Sequence, residues 1–254
     1  MSENVTIERR GGVATITIDR PDNLNALNTN TLHALENVLD ETDDARTVVL
    51  TGAGDDAFVA GADIGYMQDL STEEALEYAE LGHRICDRLE THTAPVIAAI
   101  NGYAFGGGCE LALAADLRVA SENAVLGQTE IDLGIVPGWG GTQRLPRLIG
   151  DQAARRMIFL GERLDAEAAA EVGLVGEVVP QEELDTVVEE MAQELASKPR
   201  FALAAAKEAL NQVHEGPRSE GLAFERRLWS GLFGTHDQRE GMEAFVEKRD
   251  PEFE

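Results

Sequence analysis

Two glutamates pose the chemical question. Glu110 sits in NGYAFGGGCELALAADLRVAS, residues 101–121, directly behind Gly106, Gly107 and Gly108 and ahead of LALAA, a helical run with almost no polar face. A carboxylate at the mouth of such a helix is desolvated, so its pKa rises and it becomes suited to proton transfer. Twenty residues on, GQTEIDLGIVPGWGGTQRL, residues 127–145, sets Glu130 in a second apolar, glycine-flanked segment. Two carboxylates on neighbouring elements form a candidate acid/base pair. Plainer readings stand beside this one: an acid in the first turn of a helix suits the helix dipole, and Thr129 has the residue type of a cap for a helix starting at Glu130.

The backbone offers the complementary chemistry. A glycine-rich turn from a buried strand into a helix lets a ligand approach the first-turn N–H groups, which have no partner inside the helix. Such a turn can hold a developing negative charge; tight packing of strand on helix is the other use of three glycines. A further stretch, FVAGADIGYM at 58–67, has small residues Ala60, Gly61 and Ala62 that bring one more N–H within reach of the same site. Other chemistries lack their residues. A dinucleotide fingerprint on Gly106 and Gly108 needs a glycine where Leu111 stands, and one on Gly138 and Gly140 needs it at Gln143. There is no P-loop and no nucleophile elbow. His33, His83, His92, His214 and His236 are scattered and read as surface residues. Cys86 and Cys109 form neither a disulfide framework nor a metal-ligand spacing, and read as reduced, buried thiols.

These groups need a scaffold to bring them together. VATITI at 13–18 alternates as a strand, and RTVVLTG at 46–52 and PVIAAING at 95–102 are short apolar runs ending in glycine, as buried strands do. Between them the spacing predicts amphipathic helices over Thr29–Thr42, with Leu32, Leu35, Val38 and Leu39 on one face, and over about Thr72–His92. Alternating strands and helices imply a layered α/β core. After residue 180 the pattern is helical over Gln181–Ser197, Pro199–His214, Arg218–Phe233 and Asp237–Lys248, which suggests a separate packing module. The division drawn is a core over 1–195 carrying the site and a helical region over 196–254.

Charge narrows the partners. Against 47 acidic residues stand 18 arginines and three lysines, giving a net charge of −26. That opposes binding to nucleic acid or to anionic membrane surfaces. Self-repulsion on this scale is screened at molar salt, where the Debye length is about 3 Å, so the composition predicts a halophilic protein. No apolar stretch approaches the roughly 20 residues that span a bilayer, and MSENVTIERR lacks the apolar core of a signal peptide, which points to the cytoplasm.

Taken together, AGADI, the Glu110 stretch and the Glu130 stretch resemble the crotonase superfamily in order and spacing, and within it the enoyl-CoA hydratases. The resemblance runs from the N-terminal strands through RPDNLNALN at 20–28 to the tail FGTHDQREGMEAFVEKRDPEF, essentially the whole chain. It implies an α/β core of ββα turns wound into a spiral, followed by a helical region that drives trimer formation, commonly as a dimer of trimers. It implies an acyl-CoA substrate whose thioester oxygen lies between the N–H groups of Ala62 and Gly107. Glu110 and Glu130 would hold one water between them, delivering hydroxyl to C3 and a proton to C2 of a 2-enoyl-CoA, with the Gly138 backbone beside the reacting carbons. Further substrate contacts map to Ala60, Asp63 and Ile64, and to backbone around Asn23 and Leu24 near the adenine. Neither a metal nor a cofactor beyond the substrate's own coenzyme A is implied.

Two positions leave alternatives open. Many hydratases have a basic residue after ADI, where this chain has Gly65; Lys248 and Arg249, contributed by a neighbouring subunit, are candidates to meet the CoA phosphates, with ordinary surface pairing as the other reading. Trp139 either narrows the acyl pocket or packs outside it. Presence of both carboxylates favours water addition over enoyl-CoA isomerisation, in which relatives usually keep only the second, and over acyl-CoA hydrolysis or a non-catalytic binding role.

Overall fold

The computed structural model describes residues 4–254, so Met1, Ser2 and Glu3 of the N-terminal stretch lie outside it, as does the side chain of His214. Strands β1 (Val5–Arg10) and β2 (Val13–Ile18) form an antiparallel pair, and α1 (Thr29–Asp40) follows. A unit then recurs three times: a strand for a large sheet, a short strand for a small one, and a helical segment. Its first turn is β3 (Thr47–Gly52), β4 (Ala57–Val59), α2 (Ile64–Met67) and α3 (Thr72–Thr91). The second is β5 (Val96–Ile100), β6 (Tyr103–Phe105) and α4 (Gly107–Ala114); the third is β7 (Leu117–Ser121), β8 (Val125–Gly127), α5 (Gly141–Ile149) and α6 (Asp151–Leu160). Strand β9 (Arg163–Asp165), helix α7 (Ala166–Glu171) and strand β10 (Glu177–Val179) complete the sheets, and α8 (Leu184–Ala196), α9 (Arg200–Asn211), α10 (Arg218–Gly231) and α11 (His236–Glu247) end the chain. The large sheet runs β1-β2-β3-β5-β7-β10 and the small one β4-β6-β8-β9, which is the ββα winding that the resemblance implies.

Central strands β3 and β5 pair in parallel and are buried on both faces, which is why they read as apolar runs rather than as alternations. Val48 and Leu50 face the main core, while Val49 faces a second cluster with Ile97, Ala99 and Val119. Helix α8 covers that second cluster with Leu184, Val188, Ala192 and Ala196. The first of the four C-terminal helices therefore belongs to the sheet it covers, and not to a separate module beginning at residue 181. Helix α1 buries Leu32, Leu35, Val38 and Leu39 as its spacing predicts, with the Asn28 side chain accepting from the Thr31 N–H as its cap. It stops at Asp40 because Thr42 turns its hydroxyl back onto the Leu39 carbonyl, 2.7 Å away. The same hydroxyl lies 3.1 Å from His92 Nε2, so His92 is half-buried and not a surface residue.

One of the three lysines is buried too. Lys207 of α9 lies 2.7 Å from Asp116 Oδ2 and donates to the carbonyls of Leu89 and Ala94, fastening α9 to the ends of α3 and α4. No helix among the described residues is long and apolar enough to cross a membrane.

Candidate functional site

Strand β6 delivers the chain to Gly106, whose φ of +49° turns it abruptly into α4. Few residues other than glycine adopt that conformation, and a Cβ there would also lie 3.2 Å from Glu130 Oε1. At Gly108 a Cβ would come within 2.0 Å of the Val59 carbonyl, so the triplet serves close packing as well as access. Every residue of α4 is buried, including Glu110, which is 2% exposed one turn into the helix.

Burial pushes the Glu110 carboxyl above its usual range. Opposing that, Oε1 accepts from the N–H groups of Trp139 and Gly141, each at 2.7 Å, and such bonds favour the ionised form. Glu130 opens a 3-10 turn, Glu130–Leu133, after β8. Thr129 makes no side-chain cap there, so the capping reading fails. Burial, then the neighbouring charge of Glu110, push the Glu130 carboxyl up to about 7. Gln128, fully buried, directs its amide NH2 at both Glu130 oxygens, 2.9 and 3.1 Å away, in the orientation that satisfies both groups.

The loop carrying Ala62 is held from below. Leu27 donates to the Gly61 carbonyl and accepts from the Asp63 N–H, while Ala60 donates to the Leu24 carbonyl at 3.0 Å. Asp63 caps α2 and pairs with Arg20 at 3.2 Å. Among the described residues, the N–H groups of Ala62 and Gly107 make no hydrogen bond. Both residues, with Glu110 and Glu130, line one cavity of about 580 Å3. Two backbone donors and two carboxyls, one of them poised to hold a proton near neutrality, are groups that stabilise an oxyanion and move protons.

Ala60, Ile64, Gly138 and Trp139 also line this cavity; Asn23, Leu24, Asp63 and Lys248 do not. Leu24 and Asp63 instead hold the Ala60–Asp63 loop in place. Lys248 ends α11 in the left-handed region at the chain's far end, and Arg249 beside it is engaged by Glu240 and Glu247. Trp139 is 3% exposed, wedged between the backbones of Gly82 and Gly107 with its ring centroid 5.5 Å from that of Tyr78, so it is part of the cavity wall. Cys109, fully buried, has its thiol pushed up to about 12 by desolvation and is no nucleophile. A second cavity, about 490 Å3 between the large sheet and α8, holds none of the expected site residues.

Sequence reading missed Gln128, Arg144 and Arg163. Arg163 lines the cavity with its guanidinium 4.9 Å from the Phe105 ring centre. The one available signal was Gln128 itself, a polar residue inside an apolar stretch two positions before Glu130.

Known proteins resemble the chain over nearly its whole length. The family model described as enoyl-CoA hydratase/isomerase matches residues 8–254. A short-chain-enoyl-CoA hydratase of Clostridium acetobutylicum is 44% identical over 97% of this chain and 95% of its own. A crotonyl-CoA hydratase of Syntrophomonas wolfei is 42% identical over 99% and 98%. The crystal structure of an enoyl-CoA hydratase from Bacillus anthracis superimposes with a TM-score of 0.96 at 40% identity, covering 99% of both chains.

Proposed function

This chain belongs to the enoyl-CoA hydratase/isomerase family, and from that premise we infer that it is an enoyl-CoA hydratase. It adds water reversibly across the 2,3 double bond of a 2-enoyl-CoA to give the 3-hydroxyacyl-CoA. One arrangement supports the assignment of roles: Glu110, Glu130 and the unengaged N–H groups of Ala62 and Gly107 share a single cavity.

In this reading the thioester oxygen lies between the two N–H groups, which take up the enolate-like charge as the double bond is attacked. Removing one donor of such a pair costs about 3 kcal/mol of transition-state stabilisation in well-characterised cases. Glu110, whose Oε1 accepts two N–H bonds that favour its ionised form against the effect of burial, takes a proton from the water through its other oxygen as the hydroxyl adds to C3. Glu130, holding a proton near neutrality, gives it to C2. The two titrate as a coupled pair, so activity needs the pair singly protonated. No metal or cofactor enters; coenzyme A arrives as part of the substrate.

The assembly and setting are part of the same reading. We place the enzyme in the cytoplasm, as a homotrimer or dimer of trimers. Support for assembly comes from the C-terminal helices, which leave Phe201, Trp229, Phe233, Met242, Phe245 and Val246 exposed, the last two at 84% and 79%.

Loss of the conjugated-thioester absorbance of crotonyl-CoA tests the reaction, with a product heavier by one water. Glu110→Gln and Glu130→Gln should each abolish most of that loss. Near-normal turnover in either folded variant would remove that residue from the mechanism, and an unchanged product mass would indicate isomerisation instead.

A further inference from the structure

Glu110 depends on the loop from Gly138 to Gly141, because both of its N–H donors are there. That loop has little stiffness of its own. Glycines flank Trp139 on both sides, and Gly140 sits at φ +106°. A peptide plane next to a glycine turns over at small cost, since glycine accepts either sign of φ. Turning the plane between Trp139 and Gly140 would reverse the Trp139 carbonyl and disturb the two N–H groups on either side of it.

A side chain holds that carbonyl. Arg144 of α5 reaches back and donates from Nη1 to the Trp139 oxygen at 2.9 Å. Its remaining donors are tied to α3: Nε and Nη2 meet Glu90 Oε2 at 2.9 and 2.6 Å, and Nη2 meets Asp87 Oδ1 at 2.8 Å. The Arg144 side chain is only 12% exposed. Two carboxylates already answer its charge, so it does not serve as counter-ion to Glu110. A planar fork is required, because one nitrogen must reach the loop while the others remain on α3.

We propose that Arg144 is a positioning residue for hydration: anchored on Glu90 and Asp87, it fixes the Trp139 carbonyl so that the loop holds the Glu110 carboxylate in one orientation. The inference rests on the hydratase reading above. A partly buried ion pair kept only for stability would leave turnover intact in any variant that folds. A positioning role affects kcat, because the orientation of Glu110 matters in the transition state, and leaves KM for the thioester nearly unchanged.

The test is steady-state hydration of crotonyl-CoA by wild type, Arg144→Gln, Arg144→Lys and Glu90→Gln, with thermal unfolding measured alongside. Arg144→Gln should lose at least about tenfold in kcat, about 1.4 kcal/mol, with KM within about threefold. Arg144→Lys should fall between, since an ammonium can reach α3 or the loop but not both. Arg155→Gln, which breaks an exposed pair with Asp151 on α6, serves as control and should leave kcat unchanged. A folded Arg144→Gln with wild-type kcat, or with its loss confined to KM, overturns the proposal. Should Arg144→Gln fail to fold, Glu90→Gln decides: it loosens the anchor alone, and an undiminished kcat overturns the proposal equally. A wild type that hydrates no 2-enoyl-CoA removes the hydratase reading and this inference with it, whereas an active wild type with an unimpaired Arg144→Gln removes the inference alone.

Discussion

A carboxyl that keeps its proton up to about 7 inside the fold alters how stability responds to pH as well as what the site can catalyse. The unfolded chain releases the Glu130 proton near the ordinary value of 4.5, the folded chain near 7. The raised value therefore contributes stability that is fully present below 4.5 and is lost as pH rises through 7. Above that, a buried carboxylate remains where a neutral group would be more comfortable, a difference of up to about 3 kcal/mol for a shift of this size. Glu130→Gln keeps an oxygen for the Gln128 amide to donate to and removes the charge. Its expected unfolding temperature at pH 8 is above that of wild type, with the gap closing toward pH 5; a variant less stable than wild type at pH 8 would show that Glu130 is not strained by burial. Both glutamates were legible in the sequence because each lies in a mostly apolar, glycine-flanked stretch, and the local pattern already implies desolvation. Gln128 and Arg144 were not, since what they do depends on what they face: Arg144 reads as one more surface arginine until α3 is placed beside α5.

Among the elements, α3 shows how a local rule can be outweighed. Gly82 lies mid-helix, where alanine would be favoured by up to about 1 kcal/mol on helix propensity. A Cβ there would stand 2.2 Å from Cε2 and Nε1 of Trp139, and the indole cannot retreat: a Cβ at Gly107, on the ring's other edge, would stand 2.3 Å from it. Forcing a methyl into a filled site costs about 1–3 kcal/mol, so packing prevails over propensity. Gly82→Ala should lower the unfolding temperature. It should also slow hydration, because the displaced Trp139 carries one of the N–H groups on Glu110. Pairing it with Trp139→Phe should restore part of both, and a single variant as stable as wild type would mean the indole has room to move. Strands β2, β3 and β5 and helices α1 and α3 were legible from periodicity to within a residue or two, whereas the short strands β4, β6, β8 and β9 and helices α2, α5, α6 and α7 were not. Nor was the role of α8: its apolar stripe fits a helical bundle or a sheet equally well, and only the second apolar face of β3 and β5, which α8 covers, decides between them. The spiral winding itself came from resemblance, since no periodicity specifies which of two sheets a three-residue strand such as β4 will join.

For the molecule as a whole, charge was fully legible in composition, but where it could be neutralised was not. If every basic side chain found a partner, 26 carboxylates would still have none. Most of the pairs that form are exposed, such as Arg9 with Asp44 and Arg155 with Asp151, and exposed pairs contribute at most about 1 kcal/mol each. Salt therefore removes little when it screens them, and relieves a repulsion that acts across the entire surface. The same repulsion would act between subunits of the proposed assembly. In the proposed assembly, copies each carrying −26 would meet through exposed apolar residues of the C-terminal helices, and burial of Phe245 and Val246 would strengthen association only once the charges are screened. In the proposed reading polyanionic coenzyme A faces the same field, with Arg163 at the cavity as local relief. Unfolding temperature, assembly mass by light scattering and crotonyl-CoA hydration should accordingly rise together from dilute buffer to molar KCl. An unfolding midpoint that stays flat or falls over that range would show that the core alone holds the fold against its charge. A mass that stays monomeric in molar KCl would show that the exposed apolar helices serve something other than a second copy of this chain.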